Sequence, residues 1–152
     1  MSMIQTLGDG YINLPNILIQ FENELKEAST RLENKGKLLE TCLSENSAFM
    51  HYYDERKNML YTLVKFFKME IERVRSTLYI SYTENYSKSL SHQQILKYLD
   101  GEKAFITVQQ LSLEVEEMYE QYVSAVENFK ARGFALQYIT KLRVAQLEFT
   151  EI

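Results

Sequence analysis

Residues 104 to 148 read AFITVQQLSLEVEEMYEQYVSAVENFKARGFALQYITKLRVAQLE, with no Pro and a single Gly. Steps of three and four alternate along Val108, Leu111, Val115, Met118, Tyr122, Ala125, Phe129, Arg132, Leu136, Ile139 and Arg143. That rhythm keeps one face of a helix in register over many turns, so it predicts one long helix with a heptad-like seam from about Ala104 to Glu148. Two of the inward positions, Arg132 and Arg143, are arginines rather than apolar residues.

The rest of the chain has the same character. One Pro, five Gly and many Leu, Glu, Lys and Gln residues favour helix almost throughout. Pro15 suits the first turn of a helix through NILIQFENELKEASTRLENKG, with Ile17, Phe21, Leu25, Ala28 and Leu32 on one face and Gly36 near its end. A longer helix is predicted from about Ser47 to Tyr79, on Phe49, Tyr52, Met59, Leu60, Leu63, Val64, Phe67, Ile71, Val74 and Leu78. SYTENYSKSLS, residues 81 to 91, is polar and reads as a connection. It divides the chain into an N-terminal helical part, 1 to 80, and a C-terminal helical part, 92 to 152. Ser91 and Gln94 have the spacing of a capping box, which starts a short helix HQQILKYL with Asp100-Gly101 as its stop. The fold class predicted is all-α, built on long helices.

Composition bounds the function. A chain of 152 residues with one Cys and 45% hydrophobic residues is one domain's worth of sequence. Cys42 has no partner for an internal disulfide, and MSMIQTLGDG lacks the basic start and apolar run of a signal peptide. No apolar run approaches the roughly 18 residues of a membrane span. A protein of a reducing, cytoplasmic compartment, with no membrane contact, is expected.

Charge falls in blocks that the overall net of −4 conceals. Residues 1 to 55 are net −5, and residues 56 to 75 net +4 through Arg56, Lys57, Lys65, Lys68, Arg73 and Arg75. Residues 107 to 128 carry five Glu and no base, whereas 129 to 143 are net +4 through Lys130, Arg132, Lys141 and Arg143. Each basic block can face phosphate or an acidic neighbour, and each can equally be a solvated helix face.

Catalysis finds no support. His51 and Asp54 lie one helical turn apart without a second matching pair, so no metal site is expected, and His92 belongs to a helix start. Cys42 has no companion His and reads as a small buried residue. GDG at residues 8 to 10 lacks the continuation of a phosphate loop. Neither an enzyme nor a bound cofactor is expected.

The segment FKARGFALQYITKLRVAQLEF resembles the C-terminal signature of the bacteriophage UvsY recombination mediators, through Arg132, Gly133, Phe134, Leu136 and Ile139. Upstream, ERVRSTLY resembles that family's basic pair and following tyrosines through Arg73, Arg75 and Tyr79. Arg73 stands where Lys is typical, Leu78-Tyr79 replaces a Tyr pair, and the Gly that usually follows is absent. The likeness covers roughly residues 48 to 149. The first 35 or so residues have no counterpart and read as an added helix.

The resemblance implies a non-enzymatic protein of an infected bacterial host's cytoplasm. Such a protein binds single-stranded DNA and loads a phage RecA-like recombinase onto strands covered by single-strand-binding protein. It implies a ring-like homo-oligomer built through the C-terminal helix, with Phe129, Arg132, Gly133, Phe134, Leu136 and Ile139 at the contact. Arg132 then pairs with the Glu114 to Glu127 block of a neighbour, or with the same acids of its own chain. DNA contacts are expected from Lys65, Lys68, Arg73, Arg75, Tyr79 and Tyr82. Arg73 and Arg75 point about 200° apart on a helix and cannot share one phosphate, whereas Lys68 and Arg75 share a face. The alternative is a helical scaffold or phage assembly protein whose basic blocks are merely solvated.

Overall fold

The computed structural model describes residues 2–85 and 89–145, and among them every regular element is helical. Two 3-10 turns, Gln5–Leu7 and Asp9–Tyr11, precede helix α1 (Leu14–Arg31). Helix α2 (Leu39–Asn85) is the longest at 47 residues, α3 (His92–Asp100) is short, and α4 (Lys103–Val144) has 42 residues.

Helices α2 and α4 lie antiparallel along one seam: Asn46 meets Phe129, Tyr53 meets Tyr122 and Phe129, and Tyr61 meets Tyr119. Helix α1 closes the middle of this pair into a three-helix bundle. Leu7, Leu14, Phe21 and Ala28 enter the same core as Leu60, Leu63, Phe67, Val108, Val115 and Phe129. The N-terminal and C-terminal parts therefore share one core.

Helix α2 begins eight residues before Ser47 and runs six beyond Tyr79, so residues 81–85 are helix rather than connection. The physical reason is the buried stripe, which starts at Cys42 and Asn46 and ends at Tyr82. Local polarity does not end the helix, because its polar residues bond along it: Thr83 donates to the Tyr79 carbonyl, and Asn85 Nδ2 to Ser81 Oγ. Of the predicted connection, residues 86–88 lie outside the described residues. The capping box at Ser91 and Gln94 forms with both of its hydrogen bonds. The predicted end of α4 at Glu148 also lies outside the described residues.

Besides its apolar face, helix α1 is tied down by two tyrosine hydroxyls. Tyr122 donates to the Phe21 carbonyl at 2.7 Å, and Tyr53 donates to the Glu24 carbonyl at 2.9 Å. The rings stack into one aromatic column, with Tyr53 on Phe129 at 5.1 Å and Phe21 edge-on to Tyr122 at 5.6 Å. Tyr122→Phe keeps the ring and loses one buried hydrogen bond, so it is expected to cost about 1 kcal/mol in urea unfolding.

Burial pushes the Tyr122 and Tyr53 hydroxyls above the usual 10.0. Both hydroxyls ionise more readily in the unfolded chain, so stability is full below about pH 10 and falls as pH rises beyond it. Tyr122→Phe should show a shallower alkaline loss than the wild type.

Candidate nucleic-acid interface

The block from residue 56 to 75 carries six cations, and three of them meet acids: Arg56 and Lys57 are partly buried, whereas Arg73 keeps its side chain 62% exposed. Arg56 Nε stands 2.7 Å from Glu24 Oε2 of α1, with its guanidinium 4.1 Å from the centre of the Phe21 ring. The N–H direction makes this an ion pair rather than a hydrogen bond, and both atoms are buried. Lys57 pairs with Asp54 at 2.9 Å. Arg73 is clamped by Glu70, donating from Nε at 3.0 Å and from Nη2 at 2.9 Å.

Glu70 also accepts from the Tyr11 hydroxyl. Hydrogen bonding from Arg73 is the main cause holding the Glu70 carboxyl below its usual range, and the same contact raises the Arg73 guanidinium. The Tyr11 hydroxyl is raised, first by burial and then by Glu70. Tyr11 itself has φ 60°, unusual for a residue with a side chain, and its ring sits against Phe67 at 5.1 Å. Arg73 thereby lines a cleft of about 800 Å³ between the Gly8–Tyr11 turn, α2 and the start of α4. It is the opposite flank of α2 from Arg75.

Lys65, Lys68 and Arg75 remain exposed, and none has an ion pair among the described residues. Lys65 Nζ lies 4.7 Å above the Tyr61 ring. Arg75 borders a second opening, of about 360 Å³, with Tyr79, Ile80, His92 and Leu96. Tyr79 Oη and His92 Nδ1 are 2.9 Å apart, which fixes the tyrosine at the edge of that opening. A cation and a half-buried aromatic side by side, as Arg75 and Tyr79 are here, can hold a phosphate and a base face together.

Tyr82 does not join them, contrary to the role expected for it. Its side chain is buried, its ring stacks on Tyr98, and its hydroxyl donates to Glu102 of the turn into α4. It joins α2 to the α3–α4 corner. Nothing in its spacing from Tyr79 distinguishes the two in the sequence; the packing of α3 does.

The C-terminal set splits in two. Phe129 and Leu136 are buried within the chain against α2, and so is Arg132. Arg132 does not meet the acids of its own chain: Nε donates to Asn34 Oδ1 at 2.8 Å and Nη1 to Asn46 Oδ1 at 3.1 Å. Asn46 Nδ2 in turn donates to the Phe129 carbonyl at 3.0 Å. A Cβ at position 133 would sit 3.0 Å from that same Nδ2, so Gly133 is what lets the amide reach α4. Asn34 and Asn46 were not legible as partners, because they are distant in sequence and flank no motif.

Phe134, at 63% exposure, turns outward, and Ile139 is partly exposed. Tyr138 and Leu142, four and eight residues after Phe134, extend its stripe on the outer face.

His51 pairs with Glu55 and Cys42 is buried, and no group of three His, Cys, Asp or Glu residues converges among the described residues. No described helix is long and apolar enough to cross a membrane. No family model, curated protein or solved structure matches this chain.

Proposed function

We propose that this chain is a recombination mediator of an infected bacterial cell. It binds single-stranded DNA as a homo-oligomer and helps load a RecA-like recombinase onto strands covered by single-strand-binding protein. The observation that carries the reading is the α2 flank on which exposed Arg75 lies beside Tyr79 and His92, with exposed Lys68 seven residues back on the same face. The likeness of the Arg132–Ile139 segment to phage mediators supplies the biological setting.

Each protomer offers few phosphate contacts. Useful affinity then comes from repetition in an oligomer, since linked sites multiply avidity without new contacts. Such a protein holds a strand and still gives it up to recombinase. Glu70 offsets the charge of Arg73, so Arg75 and Lys68 are the principal contacts.

The test is titration of a labelled oligonucleotide at several salt concentrations. Lys68→Ala with Arg75→Ala should weaken binding on every sequence, because phosphate contacts carry no base information. The slope of log affinity against log salt should flatten by about 0.7 for each phosphate no longer neutralised. Arg73→Ala should change both much less. Tyr79→Ala should lower affinity by roughly 1–3 kcal/mol per stacked base with little change of slope. Unchanged affinity and slope in the double variant would overturn the DNA reading and favour the helical scaffold.

A further inference from the structure

We infer that Glu72 gives the strand site a base preference: its carboxylate accepts from the exocyclic amine of cytosine, adenine or guanine and disfavours thymine. This rests on the reading above that the α2 flank binds single-stranded DNA, and it names what that flank reads.

Glu72 stands where a surface made only for phosphate would have no acid. Residues 65, 68, 72, 75 and 79 follow one another along α2 in steps of three and four, so they share a face. Lys65, Lys68 and Arg75 are its cations, and Glu72 interrupts them, one turn from Lys68 and one from Arg75. The carboxylate is exposed and has no ion pair among the described residues. About 10 Å of helix separates Lys68 from Arg75, with this negative charge between them. A strand whose phosphates meet those two cations is repelled at Glu72 if it sets a phosphate there, and so it presents a base.

The opening between α2 and α3 suits that base. Tyr79, Ile80 and Leu96 offer an aromatic and two aliphatic surfaces to its faces, and Arg75 borders the same space. The Tyr79 hydroxyl is already engaged with His92 Nδ1 at 2.9 Å, and a guanidinium only donates. The Glu72 carboxylate, which also lines the opening, is its strongest acceptor.

Base chemistry then decides what is favoured. Cytosine carries an amine that donates where thymine carries a carbonyl that accepts, and adenine and guanine also carry amines. A carboxylate forms a charge-assisted hydrogen bond with the amine and repels the carbonyl oxygen. The one ring N–H of thymine lies between two carbonyl oxygens, so a carboxylate that approaches it meets both.

The test is titration of the full chain with oligo-deoxycytidine, oligo-deoxyuridine and oligo-deoxythymidine of equal length, with the folding of each variant followed by circular dichroism. Uracil separates the effect of the carbonyl from that of the thymine methyl. The wild type should bind the cytidine strand about fivefold more tightly than either other, the low end for a base contact because the site is exposed. The ratio should grow with strand length as more protomers engage. Glu72→Ala should bring the three affinities together by tightening the uridine and thymidine strands. Glu72→Gln should also level them, because an amide both donates and accepts.

A wild type that binds all three equally, and loses that binding in Lys68→Ala with Arg75→Ala, overturns the base preference and leaves the mediator reading standing. A Glu72→Ala variant that keeps the cytidine preference, or tightens all three strands alike, overturns it too. A wild type that binds none of the three removes both readings.

Discussion

Asn46→Leu is expected to destabilise the chain by about 3 kcal/mol, near the upper end for a hydrogen bond to a charged group. Asn46 is 7% exposed and Arg132 is 5%, so water does not replace the missing amide. The guanidinium already leaves Nη2 without a hydrogen-bond partner. Removing the Asn46 oxygen strips Nη1 as well, leaving Asn34 as its remaining partner. Arg132→Met removes the charge along with the bonds, so the double variant should cost at least about 1 kcal/mol less than the sum of the two singles. Chemical denaturation of the four proteins gives the coupling directly, and strict additivity would break the link between the two residues.

Gly133 adds a test by sign. An Ala inside a helix is normally favoured over Gly by about 1 kcal/mol. Here the added Cβ meets Asn46 Nδ2 at 3.0 Å, and that nitrogen cannot give way because Asn46 is tied to both the Phe129 carbonyl and Arg132. Gly133→Ala should therefore destabilise the wild type and stabilise an Asn46→Ala background.

The seam of α4 was legible because burial repeats every three or four residues, and Tyr122, Ala125, Phe129, Arg132 and Leu136 all lie where the rhythm puts them. Towards the N-terminus of α4 the buried line passes through Ser112, with Leu111 only partly buried. The rhythm does not say what an inward arginine meets. Arg132 finds its partners on the α1–α2 loop and on α2, and neither Asn34 nor Asn46 stands out in sequence. The capping box at Ser91 was readable because all its parts lie within four residues. The ends of α2 were not, since Cys42 and Tyr82 are buried by elements far along the chain. The basic block was misleading in number for two reasons: Glu24, distant in sequence, takes Arg56, whereas Asp54 and Glu70 take Lys57 and Arg73 from only three residues away, which a net-charge sum conceals.

The largest functional effect is expected from the outer stripe of α4. Phe134, Tyr138 and Leu142 stand four residues apart on one face at 63%, 69% and 39% exposure. An apolar stripe of this kind, flanked by Lys130, Lys141 and Arg143, has the chemistry of a protein contact. In the proposed homo-oligomer it is the face on which copies meet. Truncation after Asn128 would be a poor probe, because it also removes Phe129, Arg132 and Leu136 from the core. Phe134→Ser, Tyr138→Ser and Leu142→Ser together spare those residues and should leave the helical content and urea midpoint close to wild type. The triple variant should fall to protomer mass in light scattering. Its affinity for a long single strand should drop by about 10²–10⁴, the range that multivalency contributes, while an oligonucleotide short enough for one protomer should bind nearly as before. Wild-type mass in the folded triple variant would show that copies do not meet on this face, and equal weakening on short and long strands would show that avidity is not what the oligomer provides.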